Sequence, residues 1–211
     1  MFKNRTEAAK LLGETLAEYR GYNPLVLGIP RGGVVMAGVI AEALDGEVDV
    51  VLVHKLGAPG QPEFAIGSVD ERAETYLGNA VDRLGIPASY IEEEKGAQVA
   101  ALKKRRALYT PVHPPINPGE RIAIVVDDGL ATGSTMIAAL HAVRSRRPKK
   151  LVAAAAVSPP DTLERIASVA DDVVCLEVPS DFYAVGQFFA DFGQVEDREV
   201  VKILKGSRTP D

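Results

Sequence analysis

Apolar residues in this chain run in short unbroken blocks, separated by stretches where they return every three or four positions. The blocks Leu25 to Ile29, Val48 to Val53, Ile122 to Val126, 151–157 and 172–178 are too short for helices and read as strands buried on both faces. The intervening segments carry helical spacing. Ala8, Leu11, Leu12 and Leu16 share one face of a helix over 4–20, and a second helix follows Gly33 through Leu44. Ser89 and Glu92 form a capping box for a helix to about Leu108. Met136, Leu140 and Val143 line a helix that starts near Ser134 and ends near Arg147. A short helix over 162–169 and a tail helix from about Glu196 to Lys205 complete the set. Strand-then-helix repetition predicts an α/β fold around a five-stranded, mainly parallel sheet flanked by helices.

Two segments break the pattern. Residues 56–68, punctuated by Gly57, Pro59, Gly60, Pro62 and Gly67, read as a long flexible loop, which inside a compact domain is usually functional. Pro111, Pro114, Pro115 and Pro118 make a stiff linker into the block at 122. The helix before that linker opens with Glu92, Glu93 and Glu94 and closes with Lys103, Lys104, Arg105 and Arg106. Acid first and base last suits the helix dipole, so the basic run reads as a solvated helix end.

Composition narrows the class. The 211 residues are 46% hydrophobic and 25% charged, as expected for one globular domain over 1–211. A net charge of −5 argues against nucleic acid as the main partner. One cysteine, Cys175, excludes an internal disulfide and reads as a small core residue. The N-terminus begins a charged helix, not a signal peptide. No apolar run is long enough to cross a membrane, so a cytoplasmic protein without membrane contact is the expectation.

The chemistry concentrates at Ile122 to Met136. Asp127 and Asp128 stand at the end of an apolar strand, and a tight turn follows with Gly129, Gly133 and the hydroxyls of Thr132, Ser134 and Thr135. A helix start offers unpaired N–H groups and the positive end of its dipole, and nearby hydroxyls complete a seat for a phosphate monoester. The carboxylates suit the opposite task, accepting hydrogen bonds from a diol or holding hydrated Mg2+. Phosphate at one end and hydroxyls at the other describe a ribose 5-phosphate. A Walker A loop would need a lysine that is absent, no Gly-x-Gly-x-x-Gly fingerprint occurs, and the adjacent acids do not match an Asp-x-Asp phosphatase loop.

Val125-Val126-Asp127-Asp128-Gly129-Leu130-Ala131-Thr132-Gly133-Ser134-Thr135 resembles the signature of the type I phosphoribosyltransferases. The resemblance implies that Asp127 and Asp128 bind the ribose hydroxyls of 5-phosphoribosyl 1-diphosphate and Mg2+. It implies that Gly129, Ala131, Thr132, Gly133, Ser134 and Thr135 form the 5′-phosphate loop. Pro30-Arg31-Gly32-Gly33 resembles the family's diphosphate loop, with Arg31 as a charge-assisted donor and a non-proline cis peptide near it. Lys55 resembles the basic residue that orotate-type members set against the diphosphate, although a snorkelling strand-end lysine is an equally plain reading. Loop 56–68 falls where the family carries its catalytic lid.

The implied reaction transfers ribose 5-phosphate to a nitrogenous acceptor of nucleobase type and releases diphosphate. Arg31 and Lys55 would stabilise the leaving charge without any protein nucleophile. A C-terminal hood, about 179–211, would choose the acceptor. There Phe182 and Tyr183 are equal candidates to stack on it, beside simple core packing of the phenylalanines. Ala131 and Ser158 stand where hypoxanthine-guanine enzymes have an aspartate and a lysine, which puts a 6-oxopurine acceptor in doubt. His54, His113 and His141 have no metal-ligand spacing, and only His54 lies near the implied site. The alternative function is a non-catalytic regulator that senses 5-phosphoribosyl 1-diphosphate through the same pocket. A ribose-phosphate kinase would share the fold, but no second nucleotide site is visible. The acceptor stays open, as does a homodimer.

Overall fold

The computed structural model describes residues 1–207, apart from the side chain of Glu63, so positions 208–211 of the expected hood lie outside the described residues. The strands β1 (Leu25–Gly28), β2 (Glu47–Val50), β6 (Ile122–Asp127), β7 (Lys150–Val157) and β8 (Asp172–Glu177) form one sheet in the order β2-β1-β6-β7-β8. Every pairing in it is parallel. The alternation of side chains along each strand sorts them into two cores. Val26, Val48, Val50, Ile124, Val126, Val152 and Ala154 face α1 (Arg5–Thr15), α2 (Gly32–Ala43), α4 (Ala88–Tyr109) and α7 (Asp197–Gly206). Leu25, Leu27, Ala123, Val125, Leu151 and Ala153 face α5 (Ser134–Arg144) and α6 (Pro160–Ala167). A sheet covered on both faces explains the unbroken apolar blocks.

The expected flexible loop is replaced by folded structure. Residues 56–68 belong to a second, antiparallel sheet of β3 (Val53–Ala58), β4 (Gln61–Asp70) and β5 (Thr75–Leu77), followed by the short α3 (Ala80–Leu84). Its glycines and prolines sit at the tight β3–β4 turn and at register shifts between Leu56 and Ala58, not in open coil. Leu56, Ile66 and Val69 are buried in the main core, while Tyr76 of β5 stacks on His141 of α5 with ring centroids 3.6 Å apart. The block Val48 to Val53 is correspondingly split: its first part is β2, and Val53 already opens the antiparallel sheet.

Three smaller expectations also change. The first helix ends at Thr15, and a 3-10 turn over Ala17–Tyr19 takes up the remainder. The Ser89–Glu92 capping box does not form, because α4 starts one residue before Ser89, behind Pro87. Lys103, Lys104 and Arg105 are solvated as expected, but Arg106 turns inward, its side chain only 12% exposed. It donates twice to the Glu71 carboxylate (2.6 and 2.8 Å) and reaches Asp49 at 3.1 Å. Among the described residues no helix is long and apolar enough to cross a membrane.

Residues 2–3 and 188–191 form a seam. Phe2 N–H donates to the Phe188 carbonyl, and Ala190 and Asp191 N–H donate to the carbonyls of Phe2 and Lys3, all at 2.8–2.9 Å. Phe189 packs a tilted ring against Phe2 and stacks on Phe192 at this seam.

Candidate functional site

β1 and β6 are neighbours with Gly28 opposite Val126, so the loops leaving their carboxyl ends must meet. This is where a ligand crevice belongs in an open parallel sheet. From β1 comes Pro30-Arg31-Gly32-Gly33, with the Pro30–Arg31 peptide bond cis, at the residue expected. Arg31 is half-buried and caps α2. A Cβ on Gly32 would run into the Asp128 carboxylate, and one on Gly33 would run into the Val126 carbonyl. Both glycines are therefore demanded by the fit of this loop against the end of β6, a reason the sequence motif does not reveal.

From β6 come the two acids. One oxygen of Asp127 accepts from the Asp128 N–H at 2.9 Å, and one oxygen of Asp128 accepts from Arg5 Nε at 2.7 Å. Burial, and then the neighbouring Asp128 charge, push the Asp127 carboxyl well above the usual carboxylate range; the Asp128 N–H and Arg5 pull the other way. Each acid thus has one oxygen engaged. The other two make no hydrogen bond among the described residues. Hard carboxylate oxygens of this kind suit Mg2+, which usually takes one or two carboxylates and fills its shell with water and substrate oxygens. Among the described residues, no group of three or more His, Cys, Asp or Glu side chains is placed to hold a metal ion, here or elsewhere.

The turn after the acids is held from three sides. Leu130 is buried and its N–H donates to the Val157 carbonyl at 2.8 Å. Thr162 and Arg165 of α6 donate to the carbonyls of Ala131 (2.9 Å) and Thr132 (3.1 Å). Gly133 has φ of 67°, a left-handed conformation that glycine adopts without a steric cost, and it turns the chain directly into α5. The hydroxyls of Thr132 and Ser134 lie 3.1 Å apart, and Thr135 is exposed in the first helical turn. Two adjacent hydroxyls at an open helix start can donate to an anion.

The remaining candidates are less concentrated. Lys55 is half-buried in β3 opposite Ser68, so it belongs to the antiparallel sheet and not to the end of the second parallel strand. His54 is exposed, with a ring nitrogen 2.9 Å from the Lys55 carbonyl oxygen. His113 is buried, and His141 lies in the Tyr76 stack. Phe182 stacks on Phe188 at 5.7 Å, whereas Tyr183 is 90% exposed. Val185 packs its methyls over Gly129, against the turn that follows the acids. Ser158 is buried and donates to the Pro159 carbonyl. Cys175 is partly buried, its thiol pushed up to about 11 by burial.

Arg5, Thr162, Arg165 and Val185 were not visible as site residues in the sequence. Arg5 lies 123 positions from its partner Asp128, and no local pattern links them.

Two glycine loops converge at the carboxyl ends of a parallel sheet covered by helices on both faces, which defines an α/β fold with a crevice at one end of the sheet. Residues 3–192 match the phosphoribosyl transferase domain family, and the chain belongs to that family. Two Mycobacterium tuberculosis relatives, Rv0571c and MT0597, both provisionally named phosphoribosyl transferases, are 38% identical over 205 residues. Those residues are 97% of this chain but 46% of each relative, so the chain spans about half the length of the curated relatives it matches. The crystal structure of TT1426 from Thermus thermophilus has a TM-score of 0.90 and 46% identity, covering 97% of each chain. The AQ2163 protein from Aquifex aeolicus shares the fold at 12% identity, with a TM-score of 0.51 over 96% of this chain and 86% of that one.

Proposed function

We propose that the chain transfers ribose 5-phosphate from 5-phosphoribosyl 1-diphosphate to a ring nitrogen of a nucleobase-type acceptor, releasing diphosphate. The observation that carries this reading is the meeting of the Arg31-Gly32-Gly33 loop with Asp128, just upstream of the hydroxyl turn that starts α5. Diphosphate, diol and 5′-phosphate would then be gripped by successive parts of one crevice.

In this reading Thr132, Ser134, Thr135 and the first amides of α5 hold the 5′-phosphate, and Asp127 and Asp128 take the ribose hydroxyls. Gly129, Ala131 and Gly133 shape the turn, while Gly32 and Gly33 let the diphosphate loop close on β6. Mg2+, held by Asp127 and Asp128 together with substrate oxygens, would neutralise charge on the diphosphate. Arg31 and Lys55 donate to the same leaving group as the C1–O bond breaks and the C1–N bond forms. Holding the sugar at both ends brings the acceptor nitrogen into line with C1 without a covalent intermediate. Phe182 or Tyr183 covers the acceptor. The exposure of Tyr183 favours it as the mobile partner, since Phe182 is already engaged by Phe188. Ala131 and the buried Ser158 supply neither the carboxylate nor the ammonium of 6-oxopurine enzymes, so the acceptor is drawn from other nucleobase-like rings.

The test is calorimetric titration with 5-phosphoribosyl 1-diphosphate and Mg2+, compared with ribose 5-phosphate, followed by diphosphate release with a panel of nucleobases. Tighter binding of the diphosphate form and turnover with one acceptor are expected. Binding without release for any base would favour the regulatory alternative, and no binding of either compound would overturn the reading.

A further inference from the structure

The guanidinium of Arg5 joins the acidic pair to the hood. Its Nε donates to Asp128 at 2.7 Å, its Nη1 donates to the Gly193 carbonyl at 2.8 Å, and its central carbon lies 3.9 Å from the Phe192 ring centroid. The side chains of Arg5 and Asp128 are only 13% and 14% exposed, so solvent screens this pair weakly. Gly32 lies alongside this contact: a Cβ there would run into both that Asp128 oxygen and Arg5 Nε. That oxygen is held by Arg5 where Gly32 leaves room for the pair, and the second Asp128 oxygen makes no hydrogen bond among the described residues.

Arg5 itself is held by the seam between residues 2–3 and 188–191. Residues 2–3 pair with 188–191 immediately before Arg5 and Phe192, and Phe192 stacks on Phe189, whose ring packs tilted against Phe2. A planar guanidinium can use one face for the ring and two edges for the carboxylate and carbonyl, a combination a lysine ammonium cannot reproduce.

We propose that Arg5 is a positioning residue for ribose recognition: it orients the Asp128 carboxylate toward the sugar diol and ties that orientation to closure of the hood. The proposal rests on the reading of Asp127 and Asp128 as diol acceptors. Arg5 acts through Asp128 and touches no substrate atom. Its removal therefore weakens discrimination for the diol and leaves the phosphate seat of α5 intact.

The experiment compares the affinities of ribose 5-phosphate and 2-deoxyribose 5-phosphate, which differ by one hydroxyl of the diol, in the wild-type protein, R5Q, D128N and the R5Q/D128N double variant. The wild type is expected to prefer ribose 5-phosphate. R5Q is expected to lower that preference about tenfold, the worth of one charge-assisted hydrogen bond, with 2-deoxyribose 5-phosphate affinity nearly unchanged. Adding R5Q to D128N is expected to change nothing further. A wild type with no preference overturns the diol reading, and the role of Arg5 with it. A wild-type preference that R5Q retains, or an equal loss for both sugars, overturns the role of Arg5 alone. Should R5Q fail to fold, F192L removes the ring beneath the guanidinium and reads the same ratio; an unchanged ratio overturns the proposal.

Discussion

Arg106 on α4 and Asp49 on β2 form an ion pair at 3.1 Å that ties the antiparallel sheet to the edge of the parallel one. The same guanidinium grips Glu71 just beyond β4, and the second Asp49 oxygen accepts from the Ile116 N–H at 2.9 Å, fixing the proline linker as well. Burial works against the Arg106 charge, but Glu71 and Asp49 outweigh it and raise its pKa. Removing one member of such a buried network leaves the others unpaired. R106M is expected to lower unfolding stability by about 3 kcal/mol in urea titration. A loss under about 1 kcal/mol would mean that the pairs behave as surface ion pairs.

Asp128→Asn keeps an oxygen in place while removing the charge opposite Arg5. With Mg2+ present, affinity for 5-phosphoribosyl 1-diphosphate should fall at least about tenfold while the melting transition stays cooperative. Calorimetry and a thermal melt on the same sample check both parts. Unchanged affinity would remove Asp128 from the site.

Thr135 stands exposed in the first turn of α5, where its hydroxyl has no structural duty that valine would betray. Thr135→Val should weaken ribose 5-phosphate binding about tenfold and leave free ribose unaffected. Equal losses for the two sugars would argue against phosphate contact.

His141, stacked on Tyr76, has its pKa lowered from 6.5 by burial. The folded protein then holds fewer protons than the unfolded chain in the window below that value. Stability is full above pH 6.5 and declines as pH falls toward the lowered folded value. H141F should keep the stack and flatten that part of the profile in denaturant titrations from about pH 7 to about pH 5. An unaltered slope would assign it to other groups.

The parallel sheet was legible because its strands are short, apolar and covered on both sides, and because β6 hands its acids directly to a glycine turn and a helix. All of that lies within Ile122 to Met136, where neighbours in sequence are neighbours in space. The antiparallel sheet was not legible. Its glycines and prolines imitate a loop, and its pairing of Val53 with Asp70 depends on a turn and register that side-chain pattern specifies weakly. Arg106 was misread for a related reason. Local charge order along α4 suits the helix dipole, and only Asp49 and Glu71, 57 and 35 positions away, show that it points inward.

By itself the sequence determined the α/β class, the strand–acid–turn–helix unit and the Arg31 loop, since each rests on contacts or backbone conformations between near neighbours in the chain. Tertiary structure alone decided that Gly32 must be bare beneath Asp128, that Arg5 clamps that acid, and that residues 2–3 pair with 188–191. Those are contacts between segments far apart in the chain, made by packing and directional hydrogen bonds that leave no periodic trace in the order of residues.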